Sequence, residues 1–138
     1  MTRFIIISIV CGLLFGVLDG VINANPLAQR LYEVYKPIAR ASINSLAGIL
    51  IDLVYGFIMA AIFLLLYQSL PGATGLVKGL SFACLVWFFR VIMATASQWI
   101  MFNVPAVAAF YSLVAGLAEM LILGAFLGLT LKPFACYF

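Results

Sequence analysis

Trp87-Phe88-Phe89-Arg90-Val91-Ile92 is the stretch on which the reading of the whole chain turns, because it sets a guanidinium among side chains that otherwise belong in hydrocarbon. The apolar run around it, from about Leu76 to Phe102, is long enough to span a bilayer core, which takes about 20 helical residues. A charge at that depth is costly and is expected to face protein or a water-filled space, not acyl chains. It needs a partner, and Glu119, in the middle of the next apolar run, is the expected one.

Working outward, the composition leaves one class open. Of 138 residues 67% are hydrophobic and 8% charged, with a mean hydropathy of +1.28. That is too little polar surface to cover a water-soluble globule. Four spans fit, at about 4–22, 46–67, 76–102 and 106–131, in one integral membrane domain over residues 1–138. The expected fold is an all-α membrane protein, a four-transmembrane-helix antiparallel bundle with a short amphipathic surface helix, about 26–36, between spans one and two. The net charge of +3 is scattered over ends and loops and forms no basic patch, so nucleic-acid binding is set aside. Histidine is absent, which argues against haem, membrane zinc and a neutral-pH proton shuttle. No metal or cofactor is expected. Cys11 and Cys84 read as small packing residues, and Cys136, in the tail, as a candidate for acylation.

In chain order, Met1-Thr2-Arg3 precedes an apolar stretch, Phe4 to Ile22, that resembles a signal peptide. Its length and its internal Asp19 favour a membrane span. Gly12, Gly16 and Gly20 recur every fourth residue, a flat ridge that lets a second helix approach closely. Ser8, Asp19 and Asn23 point near that ridge, so the acid is expected to face protein. In the polar segment from Asn23 to Ser45, Asn25 is suited to cap a helix that has Pro26 in its first turn, and Pro37 is expected to end it. Leu27, Leu31 and Val34 share one face, and Arg30, Glu33 and Lys36 another. Arg30, Tyr32, Tyr35, Lys36 and Arg40 are placed at the headgroup level. A solvated loop is the alternative.

Span two repeats the small-residue spacing through Gly48, Asp52, Gly56 and Ala60. Its ridge is expected to pack on that of span one, which brings Asp19 and Asp52 to similar depth as a candidate proton or cation site. Alternatively Asp52 reaches Arg40 or water. In span three Ala83, Trp87, Arg90, Ala94, Ser97 and Gln98 share the inward face, and in span four Ala108, Ser112, Ala115 and Glu119 do. Counted from the turn at Asn103-Val104-Pro105, Arg90 lies about 13 residues back and Glu119 about 16 forward, a difference of only about 5 Å in depth. Gly124 and Gly128 form a further ridge, rotated away from Glu119 and free to meet a different helix or a neighbouring subunit.

Three acids at membrane depth against one base is the sharpest chemical signal. The leading expectation is a structural or accessory subunit in the lipid bilayer. It would pack through its glycine ridges and a buried Arg-Glu pair in a homo-oligomer or a larger membrane complex. The alternative is a small oligomeric proton- or cation-coupled transporter or channel that uses the intramembrane carboxylates, with Asn23, Asn44, Ser97, Gln98 and Ser112 along its path. An enzyme acting on a lipid or quinone ranks last, and no catalytic residue is named, because no nucleophile-base pair and no D-x-x-D metal spacing is found. Arg3, Lys78 and Lys132 flank one side against Arg30, Lys36 and Arg40 on the other. That balance leaves orientation weakly set; a prokaryotic inner membrane with cytoplasmic termini is the expectation.

Overall fold

A computed structural model describes residues 1–133; the acylation expected at Cys136 lies outside the described residues. Every regular element among them is helical. Helix α1 (Thr2–Ala24) is followed by a short α2 (Pro26–Leu31), which continues as a 3-10 segment, Tyr32–Ile38, and then by α3 (Ser45–Leu66). The third span, Gly75–Met101, comprises α4 (Gly75–Val86), a π-helical turn at Trp87–Ile92 and α5 (Met93–Met101); α6 (Ala106–Thr130) closes the bundle. These four long helices have the length and hydropathy to cross a membrane, and the chain is a small helical membrane protein. One end of the antiparallel bundle carries the connector between α1 and α3 and the turn from α5 to α6. We call it the connector end.

Polar side chains fix where the helices start and stop. The Asn25, Asn44 and Thr74 side chains accept hydrogen bonds from the backbone N–H groups of Ala28, Ala47 and Val77, each satisfying a donor that has no partner inside its own helix. At the opposite end two cations close helix C-termini, where the dipole favours positive charge. Arg3 Nη2 donates to the Thr130 carbonyl oxygen at 2.6 Å, and Lys78 Nζ to that of Tyr67 at 2.6 Å, with the ammonium 4.6 Å from the Tyr67 ring centre.

Two glycine seams hold the four spans. Between α1 and α3, a Cβ on Gly12 would lie 2.7 Å from the Asp52 carbonyl oxygen and 2.8 Å from Leu53 Cα, and one on Gly56 would lie 2.6 Å from Gly12 Cα. Between α4 and α6, Gly75 and Gly79 meet Gly124 and Gly128 backbone to backbone. Gly124 and Gly128 are therefore used inside the chain. Phe15, Phe63, Phe82, Met120, Leu123 and Leu127 fill the core between the seams, where dispersion contacts rather than water exclusion drive packing in lipid.

The ridges do not extend as far as their spacing implies. A Cβ on Gly20 or Gly48 would meet nothing within 4 Å, so neither glycine packs against another part of the chain: α1 and α3 diverge towards the connector end. Gly20→Leu is expected to change stability by less than about 0.5 kcal/mol. Gly12→Leu must displace the α3 backbone and is expected to cost about 3 kcal/mol. Thermal unfolding of the two variants in detergent checks the contrast, and equal midpoints would contradict the seam.

The connector also departs from expectation. Pro37 lies within the 3-10 segment instead of ending the helix, since that segment runs on to Ile38. Tyr32 and Tyr35 lie in the 3-10 segment. Their hydroxyls turn onto the bundle, Tyr32 Oη 3.0 Å from Ser112 Oγ and Tyr35 Oη donating to Gln98 Oε1 at 3.2 Å. Arg30, Lys36 and Arg40 remain exposed. Lys36 Nζ donates to Glu33 Oε1 at 2.8 Å, and this hydrogen bond and charge hold the Glu33 carboxyl below its ordinary value of 4.5. A depressed carboxyl stabilises the fold above the ordinary value and loses that contribution as pH falls through the lowered one. Amide exchange over residues 32–38, corrected for intrinsic rate, is expected to quicken modestly between about pH 5 and pH 3; no change relative to Glu33→Gln would rule out the pair.

Candidate functional site

Arg90 reaches Glu119 across the seam between the third span and α6, Nη1 to Oε2 at 3.3 Å. The π-helical turn presents the guanidinium here. An extra residue per turn re-aims the side chains that follow it, and such turns are frequent at functional sites. The turn is anchored by Trp87 Nε1, which donates to the Leu113 carbonyl oxygen at 3.0 Å, and by Val91, whose methyls occupy the space that a Cβ on Gly116 would take. A second hold on Arg90 comes from aromatic faces. Phe15 of α1 and Tyr55 of α3 stack with centres 4.4 Å apart, and the guanidinium carbon lies 4.6 Å and 4.7 Å from their centres. Cation–π contacts contribute about 0.5–1 kcal/mol at exposed sites and about 2 kcal/mol when desolvated, and the partly exposed Arg90 falls between.

Glu119 is less well served. Its side chain is 5% exposed, against 35% for Arg90, and Oε1 is buried without a hydrogen-bond partner. One hydrogen bond of 3.3 Å is a poor return for a buried carboxylate, since bidentate Arg pairing would serve both oxygens at shorter distance. An unsatisfied buried acceptor costs about 1–3 kcal/mol, more when charged.

That carboxylate lines a cavity of about 460 Å³ on the connector-end side of the bundle, between α1, the third span and α6. Asp19, Asn23, Tyr32, Gln98, Ser112 and Arg90 give it polar walls, and Ile22, Val91, Ala94 and Ala115 apolar ones. By helix rise, Glu119 is about 20 Å along α6 from Ala106, near the middle of a bilayer core about 30 Å thick. Asp19 stands nearer the mouth and accepts from Asn23 Nδ2 at 2.9 Å. Tyr32 overhangs the cavity from the connector. Burial is the first cause that pushes its hydroxyl above the ordinary 10.0, so it is a neutral hydrogen-bonding group at physiological pH. Asn25 Nδ2 donates to Tyr111 Oη at 2.7 Å, and Tyr111 Oη to the Ile22 carbonyl oxygen at 2.7 Å, which ties the end of α1 to α6 beside the mouth.

The expected grouping of acids changes accordingly. Asp19 shares the cavity with Glu119 and Arg90, whereas Asp52 sits in the α1–α3 seam, where its carboxylate covers Gly16. Asp52 is within electrostatic reach of Asp19 and Arg90 but does not line the cavity. Of the expected polar path, Asn23, Gln98 and Ser112 face the cavity; Ser97 is exposed and Asn44 is engaged as a cap. Thr95, Gly116 and Tyr32 are lining residues that the sequence reading left out of its path. Helical spacing from Glu119 back through Gly116 and Ser112 was the available signal for Gly116. Nothing local marks Tyr32, whose position depends on how the connector folds over. Among the described residues no three His, Cys, Asp or Glu side chains cluster to hold a metal ion.

A four-span helical bundle with a charged cavity cut into it defines the class: a small polytopic membrane protein with an intramembrane acid-base pair. Comparison with protein-family models, with curated proteins and with solved structures finds no match to the chain.

Proposed function

We propose that this protein is a small cation- or proton-handling membrane carrier or channel, whose connector-end cavity leads a solute from the mouth, past Asp19, to Glu119. The observation that carries the reading is the buried Glu119 Oε1, unpartnered at the wall of a polar cavity. An intramembrane carboxylate short of donors and set behind the wall of a polar cavity is placed to take up a proton or a cation. Arg90 lowers the cost of keeping that charge in the bilayer while leaving one oxygen free. In this reading the chain acts as a homo-oligomer, because four helices enclose little volume. Both termini face the cytoplasm of a prokaryotic cell, and the cavity opens on the opposite side.

The second reading, an accessory subunit, is favoured by the ion pair, which can serve to fix helix register. It draws less from the glycines, since Gly12, Gly56, Gly75, Gly79, Gly124 and Gly128 already meet partners inside the chain. The test is charge movement in proteoliposomes after a jump in pH or in cation concentration. The parent is expected to give a saturable signal, cut at least about tenfold in Glu119→Gln, the loss of one charge-assisted contact. Asp52→Asn is expected to retain the signal within about threefold, because distant charges act weakly across a partly wet space. A silent parent protein would remove the carrier reading and leave the accessory one.

A further inference from the structure

The carrier reading leaves the cation unnamed, and the cavity's own chemistry narrows it. Resting on that reading, we infer that the cavity takes a small organic monocation with an N–H bearing ammonium and a short apolar body, the ammonium donating to Glu119 Oε1.

Four observations converge on that ligand. First, the orphan atom is an acceptor whose carboxylate partner oxygen is already engaged by Arg90, so the missing group is a hydrogen-bond donor. Second, the ionisable side chains lining the cavity are Asp19, Glu119 and Arg90. Two acids against one base leave one acid without a counter-charge, which a monocation supplies and a neutral or anionic solute does not. Third, a bare metal ion is poorly catered for. No cluster of three His, Cys, Asp or Glu exists among the described residues, and a hard cation seeks six or more oxygen ligands. A volume of about 460 Å³ falls in the range of small-molecule sites and would hold roughly 15 waters at about 30 Å³ each. Fourth, the walls are mixed. Ile22, Val91, Ala94 and Ala115 supply an apolar surface beside the acids, as a ligand with a hydrocarbon body requires.

The seating of Arg90 makes the exchange feasible. An incoming ammonium competes with the guanidinium for Glu119, and Arg90 still has the Phe15 and Tyr55 rings at 4.6 Å and 4.7 Å to hold it. The site can accept a second cation without casting the first into lipid. Tyr32 and Ser112, hydrogen-bonded to each other at the connector side, then lie along the body of the ligand.

The test is equilibrium dialysis of labelled butylammonium against the full chain in zwitterionic nanodiscs, with empty nanodiscs as the blank. Saturable binding is expected, displaced by unlabelled butylammonium and at least about tenfold less well by tetraethylammonium, which has the charge but no N–H donor. Glu119→Gln is expected to weaken binding at least about tenfold. Ala115→Leu, which fills the cavity and leaves every charge in place, is expected to weaken it similarly, and it keeps the test decisive if the glutamine variant does not fold. Displacement by sodium at concentrations where tetraethylammonium fails would overturn the organic ligand while the carrier reading stood. Equal displacement by tetraethylammonium would overturn the N–H requirement, and binding indifferent to both variants would overturn the site. Absence of saturable binding together with proton-driven charge movement in liposomes would overturn the ligand class alone; absence of both would sink the carrier reading with it.

Discussion

Arg90→Leu is expected to destabilise the bundle by about 3–5 kcal/mol, the cost of leaving a buried charge without its partner. Glu119 is 5% exposed and has one hydrogen bond, from Arg90, so the substitution strips it of its sole protein donor among the described residues. The same change gives up the contact with Phe15 and Tyr55. Replacing both members of the pair, Arg90→Leu with Glu119→Leu, is expected to recover most of that loss, because a well-packed apolar pair carries no desolvation cost. Thermal or SDS-induced unfolding in a fixed detergent measures the cycle. A single variant as stable as the parent would mean that the pair is solvated and contributes no structure.

The second large effect is steric. Gly124→Leu is expected to break the seam between α4 and α6, because a Cβ there runs into the Gly79 carbonyl oxygen and would lie 2.6 Å from Ala83 Cβ. Backbone cannot yield as a flexible side chain does, so the two helices must separate over the turn that holds Gly75, Gly79, Gly124 and Gly128. A cost of about 4 kcal/mol or more is expected, above the usual range for overpacking. The readout is loss of a folded, monodisperse species within each chain, not loss of association between chains. A variant with a normal melting midpoint and a smaller oligomer would move this ridge to an interface between subunits.

How much of this was written in the sequence differs from feature to feature. The ends of the four long helices were legible to within about two residues, because 18 or more apolar residues in a row have few other outcomes. The depths of Arg90 and Glu119 follow from counting both ways from the turn at Asn103, an arithmetic that needs only helix rise. The π-helical turn was not legible: nothing in Trp87-Phe88-Phe89-Arg90-Val91-Ile92 distinguishes a wider turn from an α-helical one until Trp87 finds the Leu113 carbonyl and Arg90 finds two rings. Glycine spacing named ridges but not their ends. Gly20 and Gly48 match the pattern and touch nothing, while Gly75 and Gly79, in a helix read for its charge, carry the tightest seam. Spacing gives the face of a helix, and only the tilt of its neighbour decides how far along that face contact runs. The cavity is no more legible, since its walls come from α1, the connector, the third span and α6 together, which no single helix records.

The central claim is that a polar cavity opens from the connector end into the membrane-spanning part of the bundle and reaches Glu119. Thiol accessibility tests it most directly. In a chain carrying Cys11→Ala, Cys84→Ser and Cys136→Ser, a cysteine is placed either at Ala115, on the cavity wall, or at Ala118, exposed on the outer face of the same helix. Reaction with a charged, membrane-impermeant thiosulfonate is then followed in vesicles. The Ala115→Cys protein is expected to react from the connector side and to be protected by saturating butylammonium, while Ala118→Cys, facing lipid, stays unreactive. An Ala115→Cys thiol as inert as the one at position 118 would contradict the account.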